Sequence, residues 1–477
     1  MAPNLKHNII AAVALGKAAG AASRLIQYGG GTSMPGLLAL RIDGELVSKL
    51  SSQLTEGSIL VTGTNGKTTT AGLIANMARE TGLYTVHNRS GSNMMRGIAT
   101  ALLKNASVTA TFPDSARTLG VFEVDEATLP EAIRETGPKA IVINNLFRDQ
   151  LDRYGELDTV AATWKTALQG LPNSARIILN ADDPLVASLG EDSGAKVVYF
   201  GLEKGPWARD GMEHAADSVA CVKCQTPLEY SSVFLGHLGH YRCPRCGWSR
   251  PTPTVSALDI ELRSFKESHV RVKLRDEYIY IDTDLPGLYN VYNVTSSIAA
   301  AAALDIPRSA MEAGIRRSEV VFGRGEHLWL GGREVYLVLA KNPVGMNQVL
   351  NTLLTDEGDL NIMFILNDLV ADGRDISWIW DVDFECLKGR VGLISASGRR
   401  AEDMAVRLRY AGLVGDGGPE EANQALVNSN IGQALDAAIS SIKPEGSLYI
   451  VPTYTGMLEV RSLLAKRGVL ENYWSNN

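Results

Sequence analysis

No apolar stretch in this chain of 477 residues reaches the ~18 residues that a membrane span requires. The most apolar segment near its start, Ile9 to Ile26, is interrupted by Lys17 and Arg24. It also lacks the clean apolar core and small-residue cleavage site of a signal peptide. An amphipathic helix lying on the protein, or weakly on a membrane surface, is the expected form, in a chain that works in the cytoplasm. An excess of basic charge is missing too. Lys and Arg number 46 against 53 Asp and Glu, for a net charge of -7, which argues against a protein built mainly to coat nucleic acid. Cysteine is scarce, at five residues, and a disulfide framework is not expected in a large chain without an export signal. There is no repeat of fixed short period and no long low-complexity tract.

What is present looks like an ordinary globular protein, 45% hydrophobic and 21% charged. The length exceeds what one core supports, so two or three domains are expected. From Ser58 onward short apolar runs alternate with helical patterns. Ser58–Thr62, Gly120–Val124, Ala140–Asn144 and Arg176–Asn180 read as buried strands; Thr68–Glu80, Leu129–Glu135 and Leu157–Leu168 read as helices. Such alternation implies a parallel sheet covered on both faces. The rhythm breaks at about 205–255, which suggests a small inserted module. Strand-like runs at Val255–Leu262, His269–Leu274 and Tyr278–Asp282, as antiparallel hairpins, precede an Ala-rich helix over Val291–Leu304. A second alternating block begins near Gly332, with strands at Glu334–Ala340, Asn361–Leu366, Val391–Ser395 and Ser447–Pro452. Helices at about Val344–Leu354, Ala401–Ala411 and Ile431–Ile442 separate them. The expected division is an N-terminal segment 1–50, a central α/β domain 51–318 carrying the insertion, and a smaller C-terminal α/β domain 319–477.

The stretch GTNGKTTT, Gly63 to Thr70, lies between an expected strand and an expected helix. Small residues there let backbone amides approach a phosphate, and the helix N-terminus adds partial positive charge. Lys67 would contact terminal phosphates and Thr68 would ligate Mg²⁺. The pattern is a short form, GxxGK[ST], because Val61 stands where the general phosphate loop has its first glycine. The bland alternative is a glycine turn with a chance lysine. Glu123 and Asp125 end the next expected strand, on one face by alternation, where a metal-completing carboxylate would sit. The competing reading is a solvated acidic loop that includes Glu126.

Four of the five cysteines form two tight pairs, Cys221-x2-Cys224 and Cys243-x2-Cys246, at zinc-ribbon spacing. A closed Cys₄ site holding structural zinc is expected, with His237 and His240 nearby but not needed; a redox pair or chance spacing are the alternatives. Cys386 lacks the glycine-rich elbow of a glutaminase nucleophile and reads as a buried structural thiol. Asp368, Asp372, Asp375, Asp381 and Asp383 crowd one segment with Trp378 and Trp380. By spacing alone they could form a metal loop, a helix cap or an acidic surface, and the surface is favoured.

The loop GTNGKTTT resembles the ATP loop of the Mur ligases, which join amino acids to peptidoglycan precursors. NNLFRDQLDRYGE (144–156), LNADDP (Leu179–Pro184) and GLYNVYN (Gly287–Asn293) resemble further elements of that family in matching order. Gln150 stands where those enzymes usually carry a metal-associated histidine. AKNPVG (Ala340–Gly345) resembles their C-terminal motif, with Lys341 in place of the histidine. These departures, the four cysteines and the segment Asn367–Glu385 are similar to the MurT family, the ligase subunits of lipid II isoglutaminyl synthase.

That resemblance implies a reaction. ATP would phosphorylate the α-carboxyl of the D-isoglutamyl residue in the lipid II stem peptide, and ammonia from a GatD-like glutaminase partner would displace the phosphate. It implies ATP contacts from Gly63, Thr64, Asn65, Gly66, Lys67, Thr68 and Thr69, with Asn180, Asp182 and Asn293 on the adenine and ribose side. Mg²⁺ would be held by Thr68 and Glu123. Asp375, in the motif ADGRD, would reach across to orient the partner's catalytic histidine. A stand-alone amino-acid-adding Mur ligase is the first alternative, and a nucleotide-switched protein whose ribbon docks nucleic acid is the second.

Overall fold

The computed structural model describes residues 3–25, 33–88, 92–113, 117–148, 157–191, 193–209, 211–318, 324–414, 426–444 and 446–470. Its strands are β1 (Ser58–Thr62), β2 (Tyr84–His87), β3 (Thr118–Glu123), β4 (Ala140–Ile143), β5 (Arg176–Asn180) and β6 (Lys196–Leu202). After these come β7 (Glu229–Leu235), β8 (Leu238–Arg242), β9 (Val255–Arg263), β10 (Glu267–Leu274) and β11 (Glu277–Thr283). The last group is β12 (Arg324–Leu330), β13 (Arg333–Val338), β14 (Leu360–Ile365), β15 (Val391–Ser397), β16 (Leu426–Asn428) and β17 (Ser447–Pro452).

One sheet has the order β11-β10-β9-β6-β5-β4-β1-β3-β2. It is parallel from β2 to β9 and ends in the antiparallel strands β10 and β11. Strands β1, β3 and β4 are buried along their whole length, as expected when helices cover both faces of a parallel sheet. Alternation divides their side chains. Ile59 and Val61 face a core made with the helices Lys67–Glu80, Leu288–Ala303 and Arg308–Arg316. Leu60 faces the opposite core, shared with Leu46–Ser51, Met95–Asn105, Leu129–Thr136 and Leu157–Gln169.

The N-terminal helix, Pro3–Leu25, packs on the second of these cores through Ile9, Ala12 and Val13, the spacing of one helical face. It lies on the protein, as the sequence suggested. Among the described residues no helix is long and apolar enough to cross a membrane. The segment between β6 and β9 leaves the sheet and returns to it, because those two strands are parallel neighbours. It contains the antiparallel hairpin β7–β8 and the four paired cysteines.

The second sheet has the order β12-β13-β17-β14-β15-β16 and is parallel except for β12–β13. Separate apolar clusters fill its two faces. Several elements carry too little local signal to be read from sequence. Only one residue of β2 is buried, and β16 has three residues, none of them buried.

Candidate nucleotide site and cysteine centre

Strand β1 runs directly into the glycine loop, and a helix starts at Lys67. Gly63 and Gly66 have φ of 130° and 86°, a backbone region that other residues rarely adopt. A Cβ on Gly66 would lie 2.0 Å from Asn293 Oδ1, so glycine is also required sterically. Asn293, expected on the ribose side, therefore lies against the loop itself. Its Oδ1 accepts from Thr70 Oγ1 at 3.4 Å and its Nδ2 donates to Asn290 Oδ1 at 2.9 Å.

Lys67 is buried and folds back over the loop. Its Nζ donates to Gly63 O at 2.6 Å and pairs with Glu126 Oε1 at 2.9 Å. Thr68 Oγ1 donates to Glu123 Oε2 at 2.8 Å. Asn88 fixes the Glu123 backbone, accepting from its N–H and donating to its carbonyl, both at 2.8 Å. Glu123, Asp125 and Glu126 are all buried, which overturns the solvated-loop alternative. The missed residue here is Glu126, whose pairing with Lys67 spans 59 residues. Thr64 is buried, and Thr69 Oγ1 is buried without a hydrogen-bond partner. A glycine cradle, an orphaned hydroxyl and a Thr–Glu pair fit a nucleotide phosphate with a hard cation.

The remaining expected ligands sit at the end of β5. Asn180 Nδ2 donates to Asn144 O at 2.9 Å, and Asn144 Nδ2 donates to Thr70 Oγ1 at 2.9 Å. Asp182 is engaged internally, accepting from Leu202 N at 2.7 Å, Tyr292 Oη at 2.8 Å and Arg250 Nε at 2.5 Å. Burial raises its pKa despite the Arg250 charge. A contact that sequence reasoning missed comes from the second sheet's side, where Asn342 Nδ2 donates to Asn65 Oδ1 at 3.2 Å. Asn342 also caps the helix Pro343–Leu353 through Gly345 N.

The acidic segment after β14 does not form one surface. Asp372 is buried and accepts from Thr455 N at 2.7 Å and Thr455 Oγ1 at 2.5 Å. Asp368 pairs with Arg399 and Arg400, and Asp381 with Arg148. Asp383 meets His214 and accepts from Asn347 Nδ2 at 3.0 Å. Asp375 alone of the five is an exposed residue, accepting only a local bond from Ser377 N at 2.8 Å. The favoured surface reading is therefore corrected, because arginines engage Asp368 and Asp381, half-buried Thr455 engages Asp372, and His214 and Asn347 engage Asp383.

Cys221, Cys224, Cys243 and Cys246 have Sγ atoms all within 4.8 Å of one another. The closest pairs are 3.5 and 3.6 Å apart, against about 3.8 Å for the edge of a tetrahedron with 2.3 Å metal–sulfur bonds. The two CxxC turns are alike. Gln225 and Gly247 follow them with φ of 58° and 75°, and their amides donate to Cys221 O and Cys243 O. Bonds to the Thr226 hydroxyl and amide lower the Cys224 thiol to about 6. Cys246 rises to about 11, the Trp248 amide bond being outweighed by desolvation and the neighbouring sulfurs. The donor set fits zinc. His240 Nε2 lies 2.8 Å from Leu202 O, and His237 is wholly buried. Cys386, expected to be buried, is an exposed residue. Crowding around its sulfur, then the Asp383 and Glu385 carboxylates, push its thiol up to about 12.

Residues 61–243 match the Mur ligase middle domain, and residues 339–457 match the MurT ligase C-terminal family. The lipid II isoglutaminyl synthase (glutamine-hydrolyzing) subunit MurT of Streptococcus pneumoniae is 34% identical over 96% of this chain and 98% of its own length. The chain belongs to the MurT family. The MurT subunit of Staphylococcus aureus is 31% identical, over 84% of this chain and 87% of that one. Solved structures show the same fold. A pseudomurein peptide ligase type C from Methanothermus fervidus has TM-score 0.67 and 22% identity, covering 88% of this chain and 80% of that one. MurF from Acinetobacter baumannii has TM-score 0.64 and 17% identity, covering 90% and 80%. Of the sequence features similar to the MurT family, Gln150 lies outside the described residues.

Proposed function

We propose that this chain is the ATP-using ligase subunit of a two-subunit amidating enzyme, acting on the α-carboxyl of the D-isoglutamyl residue in the lipid II stem peptide. The observation that carries the reading is the constellation of buried Lys67 and Glu123 with half-buried Thr68 around the glycine loop, in a chain similar along nearly its whole length to named MurT subunits.

A carboxylate is a poor electrophile until one oxygen becomes a leaving group. The substrate carboxylate oxygen attacks the γ-phosphorus of ATP and ADP departs, leaving an acyl phosphate. Ammonia then attacks the acyl carbon, phosphate leaves, and D-isoglutamine is formed. Catalysis of this kind rests on positioning and charge neutralisation. Lys67 exchanges Glu126 and the loop carbonyls for phosphate oxygens. The amides of Gly66 to Thr69 and the helix N-terminus bind the phosphate chain, and Asn65 lines the loop with its own amide held by Asn145. Thr68 and Glu123 would hold Mg²⁺, which supplies further neutralisation. Asn180 and Asp182 shape the nucleoside side, Asp182 through Tyr292 and Arg250, and Asn293 backs the glycine loop at Gly66 and Thr70. The four cysteines hold structural zinc.

Ammonia comes from a GatD-like glutaminase of the cysteine class. Four cysteines of this chain cluster together as one metal donor set, and burial pushes the Cys386 thiol up, so none is poised to attack glutamine. Exposed Asp375 orients the partner's catalytic histidine, fixing its tautomer as a carboxylate does in a hydrolase triad. The domain division is 1–50, 51–318 with the insertion at about 205–255, and 319–477. The substrate being lipid-linked, the chain works in the cytoplasm at the inner face of the membrane.

The test is amidation of lipid II with ATP and Mg²⁺, driven by ammonium or by glutamine plus the glutaminase. Asp375→Asn is expected to keep the ammonium reaction within about twofold and to lose the glutamine reaction by roughly 100-fold or more. Joining of a free amino acid to a soluble precursor, without amidation of lipid II, would establish the stand-alone ligase instead.

A further inference from the structure

The backbone segment after β4 is the brace of the glycine loop. Thr64 N donates to Asn145 O at 3.1 Å and Asn65 N to Asn145 Oδ1 at 2.9 Å. Thr64 Oγ1 donates to Phe147 O at 3.1 Å and accepts from Phe147 N at 2.9 Å. Residues 145–147 therefore set both the peptide and the side chain of the loop's first turn.

The cysteine-bearing module grips the same brace from its other side. Arg148 N donates to Asp217 Oδ2 at 2.9 Å, and Arg148 Nε donates to Asp217 Oδ1. The His237 ring, in the tight turn between β7 and β8, packs on Phe147 with centroids 4.6 Å apart. Asp217 N donates to His237 Nδ1 at 3.3 Å. The ring proton then belongs on Nε2, which lies 3.5 Å from Asp183 Oδ2. Asp183 in turn accepts from Leu146 N at 2.8 Å. His237, Asp183 and the Asp217 carboxylate are all buried from solvent. Three consecutive brace residues, Leu146, Phe147 and Arg148, are thus held by the module or by a residue that the module touches. A zinc ribbon serving only its own fold needs no such contacts.

We propose that Asp217 and His237 are positioning residues of the nucleotide site: the inserted module holds residues 146–148 and thereby sets the glycine loop. This inference rests on the reading of Gly63–Thr70 as the ATP loop. Neither residue touches the phosphates, and each acts through the brace. A second edge of the same module provides an internal control. Trp248 Nε1 donates to Glu191 Oε1 at 2.8 Å, and Lys223 pairs with Glu191 at 3.0 Å, so loss of Glu191 loosens the module without touching the brace.

The experiment measures Mg·ATP affinity and the KM for ATP in the full chain, with Tm recorded for every variant. The variants are Asp217→Asn, His237→Phe, His237→Asn, Glu191→Gln and Lys67→Ala. Asp217→Asn and His237→Phe are expected to weaken ATP binding about tenfold. His237→Asn, whose amide oxygen replaces Nδ1 as acceptor, is expected to recover part of that loss. Glu191→Gln should stay within twofold of wild type at a comparable Tm. ATP binding unchanged in Asp217→Asn and His237→Phe overturns the inference, as does an equal loss in Glu191→Gln. Nucleotide binding unaffected by Lys67→Ala instead overturns the ATP-loop reading, and the inference with it.

Discussion

At the scale of single residues, two aspartates three positions apart have separate tasks. Asp372 is buried beneath the N-terminus of the helix Tyr454–Lys466 and accepts from Thr455 N, Thr455 Oγ1 and Leu369 N. Asp375 is exposed, with one local bond. Asp372→Ala leaves the half-buried amide and hydroxyl of Thr455 without their acceptor. It is expected to cost about 1–3 kcal/mol of stability, read as a lower melting temperature, whereas Asp375→Asn should melt as wild type does. Equal melting of the two variants would contradict this division. Sequence spacing could not separate them, since both lie in one acidic run and differ only in what the fold brings near. The loop residues Gly63, Gly66, Lys67 and Thr68 were legible because their geometry is local. Of their partners, Glu123, which bonds to Thr68, was expected, and the others were not. Glu126 meets Lys67 across 59 residues, Asn145 meets Asn65 across 80, and Asn342 meets Asn65 across 277.

At the scale of elements, apolar patterning disclosed the strands with the most burial and missed those with little. Strands β1, β4 and β5 are apolar runs in a buried parallel sheet and could be read directly. The hairpin β7–β8 could not, because a module this small takes its order from its cysteines as much as from apolar packing. Metal and folding are then coupled, with a binding free energy on the order of 10 kcal/mol for such sites. One zinc per chain is expected by elemental analysis, falling to a trace in Cys243→Ser. Chelation should speed hydrogen exchange in β7 and β8 while β1, β4 and β5 stay protected. A metal-free wild type with a protected hairpin would show that the cysteines serve otherwise.

For the whole molecule, polar contacts join the C-terminal α/β region to the glycine loop and to the inserted module, while Phe265 packs against Tyr336 and Tyr449 of the second sheet. Asn342 reaches Asn65, Glu213 accepts from Asn347 and Asn351, and His214 meets Asp383. Burial holds the Glu213 carboxyl above its ordinary pKa, and the Asp383 carboxylate raises that of His214. The module inserted between β6 and β9 thus contacts both the loop brace and the second sheet. None of these pairings leaves a periodic trace in the sequence. Direct contacts thus join the glycine loop, the cysteine-bearing module and the C-terminal α/β region.

The central claim is that ATP activates the carboxylate by transferring phosphate to it. Lipid II labelled with ¹⁸O in the α-carboxyl of its D-isoglutamyl residue tests this directly. Amidation with ATP, Mg²⁺ and ammonium is predicted to deliver one ¹⁸O into the inorganic phosphate for each amide formed. Label recovered in AMP, or phosphate released without label, would contradict the account.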